Sequence, residues 1–152
     1  MRWQRWFATL VLLLAVAVPA CAAAMDGKPP DPQSIAALQA RISQAPAKEQ
    51  CFLYAELIHE MTEYSLHEYA AGNVERASAL LQQVQQMAHK LHAAVSENDK
   101  RLKNAELLLR HTAFRLTEMV HSMSYEDRPV AEEALNQVNA ADQKAMMQVF
   151  QK

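Results

Sequence analysis

The chain contains only two glycines, Gly27 and Gly72, among 152 residues. Tight hairpins between β-strands, phosphate-binding loops and dinucleotide-binding fingerprints all need glycine where a side chain would clash. The chain instead has 27 alanines and 13 glutamines, and alanine is the residue with the strongest intrinsic preference for the α-helix. We therefore predict an all-α protein and exclude these glycine-dependent sites.

Residues 1–24 have the layout of a secretory signal peptide. Arg2 and Arg5 give the segment a positive start, an uncharged apolar run follows from residue 7 to residue 18, and a proline then precedes several small residues. The run is shorter than the roughly 20 residues that span a membrane comfortably. We predict export to the periplasm or the extracellular space, and a retained N-terminal anchor is the alternative.

Residues 18–21, with the sequence Val-Pro-Ala-Cys, resemble a bacterial lipoprotein box, in which the cysteine is lipidated and becomes the new N-terminus. Lipidation at Cys21 would hold the protein at a membrane surface without a spanning segment. Plain cleavage after Ala22 or Ala24 is the other alternative. Contact with a membrane is predicted only through such a lipid anchor.

The charge balance excludes one class of partner. The chain has 15 basic and 17 acidic residues, for a net charge of −2, and loss of residues 1–24 would remove two arginines and make the net charge more negative. No basic stripe remains after that loss. We therefore predict that the protein does not bind nucleic acid.

The remaining sequence divides into a Pro-rich linker, residues 25–32, and a helical domain, residues 33–152. Asp31 followed by Pro32 is a typical start of a helix, and this first helix is predicted to be short, from about residue 33 to residue 44. Four longer segments follow whose apolar residues recur at helical spacing. Gly72 is predicted to end the second helix in the left-handed conformation.

The four longer helices are similar in length and most of the connections between them are short, so neighbouring helices are predicted to run antiparallel. This predicts an up-down four-helix bundle with a short extra N-terminal helix. The segment Ser96–Asp99 is polar but holds neither glycine nor proline, and the apolar spacing continues through it. The alternative is a long helical hairpin in which helices three and four are continuous.

Two Glu-x-x-His units, Glu56 with His59 and Glu118 with His121, are similar to the units that bind iron in ferritin-like di-iron proteins. A metal-binding bundle is therefore the alternative function. At about 100° per residue, both units fall opposite the apolar stripe of their own helix. We predict that they face the solvent and that the protein holds no metal or other cofactor.

No catalytic constellation is visible. The serines lack the turn that exposes a nucleophile, and Cys51 has no histidine at helical contact spacing on its own face. We predict that the protein is not an enzyme and that Cys51 is buried. A weak enzyme built in a pocket between helices is the alternative.

Four apolar residues lie away from these stripes: Phe52 and Leu66 on the second helix, and Leu107 and Phe114 on the fourth. A paired row of large apolar residues on the outside of a helix is typical of a surface that contacts a partner or a second copy. The alternative is that the short first helix covers one of the rows. We predict that these four residues are contacts in protein–protein interaction or self-association.

Residues 101–106 (Arg-Leu-Lys-Asn-Ala-Glu) and residues 124–129 (Ser-Tyr-Glu-Asp-Arg-Pro) resemble a family of uncharacterised secreted bacterial all-helical proteins. The resemblance implies a helical fold and export, and it assigns no functional residue. The sequence therefore predicts an exported helical-bundle interaction or scaffold module.

Overall fold

The computed structural model describes residues 30–96 and 99–151. Over these residues the chain forms five α-helices and no β-strand, which confirms the all-α prediction. The helices are α1 (Pro32–Gln44), α2 (Ala47–Ala70), α3 (Val74–Ala94), α4 (Leu102–Ser122) and α5 (Arg128–Phe150). The predicted signal peptide, Cys21 and most of the Pro-rich linker lie outside the described residues.

Local chemistry sets the start of α1 where the sequence predicts it. The carboxylate of Asp31 accepts hydrogen bonds from the backbone N–H groups of Gln33 (2.9 Å) and Ser34 (2.8 Å). The hydroxyl of Ser34 lies 3.3 Å from the backbone nitrogen of Asp31 and completes a capping box. The buried face of α1 carries Ile35, Leu38 and Ile42.

Gly72 ends α2 as predicted. Its φ angle is 84°, in the left-handed region that favours glycine. The N–H of Asn73 then donates to the carbonyl of Glu68 at 2.9 Å and closes the turn. The side chain of Asn73 does not cap α3, because its amide donates instead to the carboxylate of Glu68 at 2.8 Å.

Helices α3 and α4 are separate, so the alternative of a continuous helix is wrong. Asp99 is buried and accepts hydrogen bonds from the backbone N–H (2.7 Å) and the hydroxyl (3.3 Å) of Ser96. Such local bonds compete with those of a helix. The N–H of Lys100 then donates to the carbonyl of Lys48 at 2.7 Å, and Arg101 has a left-handed φ of 59°.

Each of the four longer helices contacts two of the others. Helix α2 packs against α3 and α4, α5 packs against the same two helices, and α1 packs only against α2. Three contacts join α2 to α4, and the residue numbers increase together along both helices: His59–Thr112, Glu63–Arg115 and Ser65–Met119. Helices α2 and α4 therefore run in the same direction. The sequence did not predict that these two helices, which are not consecutive in the chain, lie side by side.

The buried residues form one apolar core. Helices α2, α3 and α4 contribute large side chains such as Leu57, Leu81 and Leu109, whereas α5 contributes mainly alanine. The small buried residues of α5 are Ala131, Ala134, Val138, Ala141 and Ala145. Small side chains let α5 approach its neighbours closely. In the part of the chain that the structure describes, none of the helices has the length and apolar character that crossing a membrane requires.

Candidate functional site

The structure separates the four predicted contact residues into three groups. Leu107 and Phe114 are 50% and 59% exposed, so the prediction that they lie at the surface is confirmed. Leu66 is partly buried against the core. Phe52 is only 7% exposed, so its predicted exposure is wrong.

Two neighbours explain why the row on α2 is covered and the row on α4 is not. Helix α1 packs against α2 and makes no contact with α4. In addition, the guanidinium carbon of Arg101 lies 3.4 Å from the centre of the Phe52 ring, which is a cation–π contact. The short first helix therefore covers one of the two rows, as the alternative predicted, and it is the row on α2 that contains Phe52.

Leu107 and Phe114 lie on the exposed side of α4, which we call the α4 outer face. Because α4 packs against α2 and α5 alone, no helix within the described ranges covers this face. The exposed side chains of the α4 outer face are Lys103, Asn104, Leu107, Arg110, His111, Phe114, Glu118 and His121. The face is therefore an apolar row with charged residues at both ends and at its centre.

Two of the charged residues beside the apolar row, Arg110 and Glu118, are held by ion pairs. Arg110 pairs with Glu106, whose side chain is buried. Arg115 donates to both carboxylate oxygens of Glu63 on α2, at 2.7 and 3.1 Å, and to Glu118 at 2.7 Å. Arg115 thus ties α4 to α2 and fixes the position of the Glu118 carboxylate at one end of the α4 outer face.

Arg115 also controls the charge of Glu63. Burial acts to raise the pKa of Glu63, but the hydrogen bonds and positive charge of Arg115 outweigh burial and hold this pKa below its ordinary value. Glu63 is therefore ionised at neutral pH and stays paired with Arg115.

The two Glu-x-x-His units do not meet. Glu118 and His121 are exposed as predicted, whereas Glu56 and His59 are partly buried, so their predicted exposure to solvent is wrong. The reason is that α2 contacts three helices, and the side opposite its apolar stripe is therefore also covered. Within residues 30–96 and 99–151, no group of three or more histidine, cysteine, aspartate or glutamate side chains is arranged to hold a metal ion.

His59 has a defined hydrogen-bonding role. The hydroxyl of Thr112 donates to the carbonyl of Leu108 at 2.8 Å, so it accepts from His59, whose Nδ1 lies 3.0 Å away. Burial is the main cause that lowers the pKa of His59. Glu63 acts in the opposite direction, while His111 and Arg115 add to the lowering. His59 is therefore a neutral donor at neutral pH.

This lowered pKa predicts acid sensitivity. The unfolded chain binds a proton at this histidine near pH 6.5, and the folded protein binds it only at lower pH. The stabilisation is therefore complete above pH 6.5 and is lost as the pH falls towards the pKa of the folded state. We expect the urea midpoint of the natural protein to fall between pH 7.5 and pH 5, and to fall less in His59→Gln. His89→Gln, at an exposed position on α3, is the control, and equal pH slopes in all three proteins would contradict the prediction.

Sequence reasoning missed the residues that arrange the site. Arg115 and Glu118 are three positions apart on one helix, which is a detectable pairing signal. Nothing in the local sequence indicates Glu63 as the third member, since it lies 52 positions away. The contact between Arg101 and Phe52 was also missed for the same reason.

Comparison with known proteins gives no relative. A scan against protein-family models found no matching family, and searches of curated proteins and of solved structures found no match. The function proposed for the α4 outer face therefore rests on the geometry of this chain.

Proposed function

We propose that the protein is an exported helical interaction module that acts through the α4 outer face. The observation that carries this proposal is the exposure of Leu107 and Phe114, two large apolar residues seven positions apart on one side of one helix. Between them, Leu109 is fully buried on the opposite side. Single exposed apolar residues are ordinary, but an aligned pair on an uncovered helix is typical of a contact surface.

The partner that we propose is a second copy of the chain. In an antiparallel pairing of two α4 helices about a twofold axis between Arg110 and His111, Leu107 would lie opposite Phe114 of the partner subunit. Lys103 would then lie opposite Glu118 of the partner subunit, and symmetry repeats each contact. The face is thus complementary to itself in apolar character and in charge. The central positive charge of Arg110 is already balanced by Glu106.

Export and architecture belong to the same proposal. Residues 1–24 act as the signal peptide, followed either by cleavage after Ala22 or Ala24 or by lipidation at Cys21. Helices α2 to α5 form a four-helix bundle with α1 on its side, which is supported by the contacts of each long helix with two others. The intact mass of protein purified from its native envelope distinguishes cleavage from lipidation.

The decisive variant is Leu107→Asp with Phe114→Asp. We expect light scattering to give the mass of a dimer for the natural protein and of a monomer for the variant, because pairing would have to bury two carboxylates per chain. Circular dichroism should show the same helix content in both, since both positions are exposed. The matched control is Met147→Asp with Phe150→Asp, which places the same charges at exposed apolar positions on α5.

Charge exchange tests the proposed orientation. Lys103→Glu and Glu118→Lys should each weaken the dimer, and the two together should restore it, because the pair is then reversed rather than broken. Exposed pairs of this kind contribute up to about 1 kcal/mol each. A natural protein that is monomeric at every concentration would refute self-association, and a dimer that survives Leu107→Asp with Phe114→Asp would refute this surface.

A further inference from the structure

A second surface lies away from the α4 outer face, at the end of the molecule where α1 ends and α2 and α4 begin. It is a groove of about 530 Å³, and its charged lining residues are Arg41, Glu49, Lys100 and Arg101. Three cations therefore face one carboxylate, in a chain whose net charge is −2. This local excess of positive charge is opposite in sign to the charge of the whole protein.

The two arginines of the groove differ from the others that the structure describes. Arg110 and Arg115 are paired with carboxylates, whereas neither Arg41 nor Arg101 has a hydrogen bond or an ion pair with any described residue. The guanidinium group of Arg101 lies over the face of the Phe52 ring. Both side chains are exposed and line the groove.

The backbone around the groove is held in place. Arg101 adopts a left-handed φ of 59°, which side chains rarely adopt, and the residue before it is hydrogen-bonded through its N–H to the carbonyl of Lys48 at 2.7 Å. The ring of Phe52 is almost fully buried, and the guanidinium group of Arg101 packs on its face. The Arg101 side chain therefore stands over a fixed platform, which lowers the entropy that it would lose on binding a ligand.

The third cation of the groove, Lys100, forms only a weak ion pair with Glu49. The ammonium group of Lys100 lies 3.0 Å from the carboxylate of Glu49, but both side chains are about half exposed. Exposed pairs of this kind contribute little to stability. Lys100 is therefore able to exchange Glu49 for a more highly charged acceptor.

We propose that this groove binds a phosphate group, held by Arg41 and Arg101 and contacted by Lys100. A guanidinium group matches two phosphate oxygens with two parallel N–H donors, and the doubly charged phosphate offers acceptors to all three cations. A free phosphate ion and the phosphodiester of a lipid headgroup both present unesterified anionic oxygens to these cations, although the diester carries less charge. This inference is independent of the α4 outer face.

The test measures phosphate binding to the full chain. Inorganic phosphate is titrated by calorimetry in a chloride buffer, and sedimentation with phosphatidylglycerol vesicles is compared with phosphatidylcholine vesicles. We expect Arg41→Gln and Arg101→Asn each to weaken binding by about tenfold. Asparagine is chosen at position 101 because it tolerates a left-handed φ. Arg76→Gln, at the start of α3 on the opposite end of the molecule, is the matched control and should bind like the natural protein.

The outcomes separate the two sources of phosphate. Binding of inorganic phosphate that both groove variants weaken supports the proposal with a free ion as a sufficient ligand. Binding only to phosphatidylglycerol vesicles, again weakened by both variants, supports it with a lipid headgroup as the ligand. The proposal is overturned if the natural protein binds neither, or if the groove variants bind as well as Arg76→Gln while circular dichroism shows all of them folded.

Discussion

Replacing Leu109 with alanine is expected to lower the free energy of unfolding by about 2–5 kcal/mol. The Leu109 side chain is completely buried in the core, so its truncation removes apolar contacts and leaves a cavity. Leu107→Ala is the matched control on the same helix. Since Leu107 is half exposed, we expect it to change the free energy of unfolding by less than about 0.5 kcal/mol.

Urea denaturation at a fixed protein concentration measures both effects, and the concentration must be low enough to keep the chain monomeric. Similar losses for the two variants would mean that α4 does not present Leu107 to the solvent. That result would also remove the basis of the proposed interaction surface. A large difference between the variants would show instead that Leu107 contributes little to the stability of the monomer.

Replacing Ala141 with leucine is expected to destabilise the fold by about 1–3 kcal/mol. Ala141 is completely buried where α5 packs against its neighbours, and three further carbons have no room there unless the helices move apart. Ala140→Leu is the matched control, because Ala140 is exposed on the same helix. Alanine and leucine have similar helix propensities, so this control should unfold at nearly the natural urea concentration.

Comparing Ala140→Leu with Ala141→Leu isolates the effect of packing, because the two positions are adjacent on the same helix. A destabilisation confined to Ala141→Leu would show that close approach of α5 is a requirement of the fold. Equal stability of Ala140→Leu and Ala141→Leu would contradict the close packing of α5. Thermal unfolding followed by circular dichroism is a sufficient measurement, since the expected loss is large for a domain of this size.

The sequence predicted those features that depend on neighbouring residues. Asp31 begins α1 because its carboxylate reaches N–H groups only two and three positions away. Gly72 ends α2 because its lack of a side chain permits a left-handed φ. The exposure of Leu107 and Phe114 was also predictable, since α4 has one buried side and its helical spacing shows which side that is.

The sequence failed where a residue's surroundings come from distant segments. A single apolar stripe describes a helix with one covered side, but α2 is covered by α1, α3 and α4. Phe52 and His59 are therefore buried or partly buried although they lie off the stripe. The pairing of α2 with α4 was equally invisible, because nothing in the short connections indicates that α4 would lie beside α2 rather than beside α3.

The arrangement of α2 beside α4 has a consequence for the order of folding. The α2–α3 and α4–α5 hairpins each close over a short turn, whereas the bonds between α2 and α4 join residues 52 to 54 positions apart. Closing a short loop costs less chain entropy than closing a long one, and local contacts form faster. We therefore expect each hairpin to form early and the docking of one hairpin on the other to be the slow step.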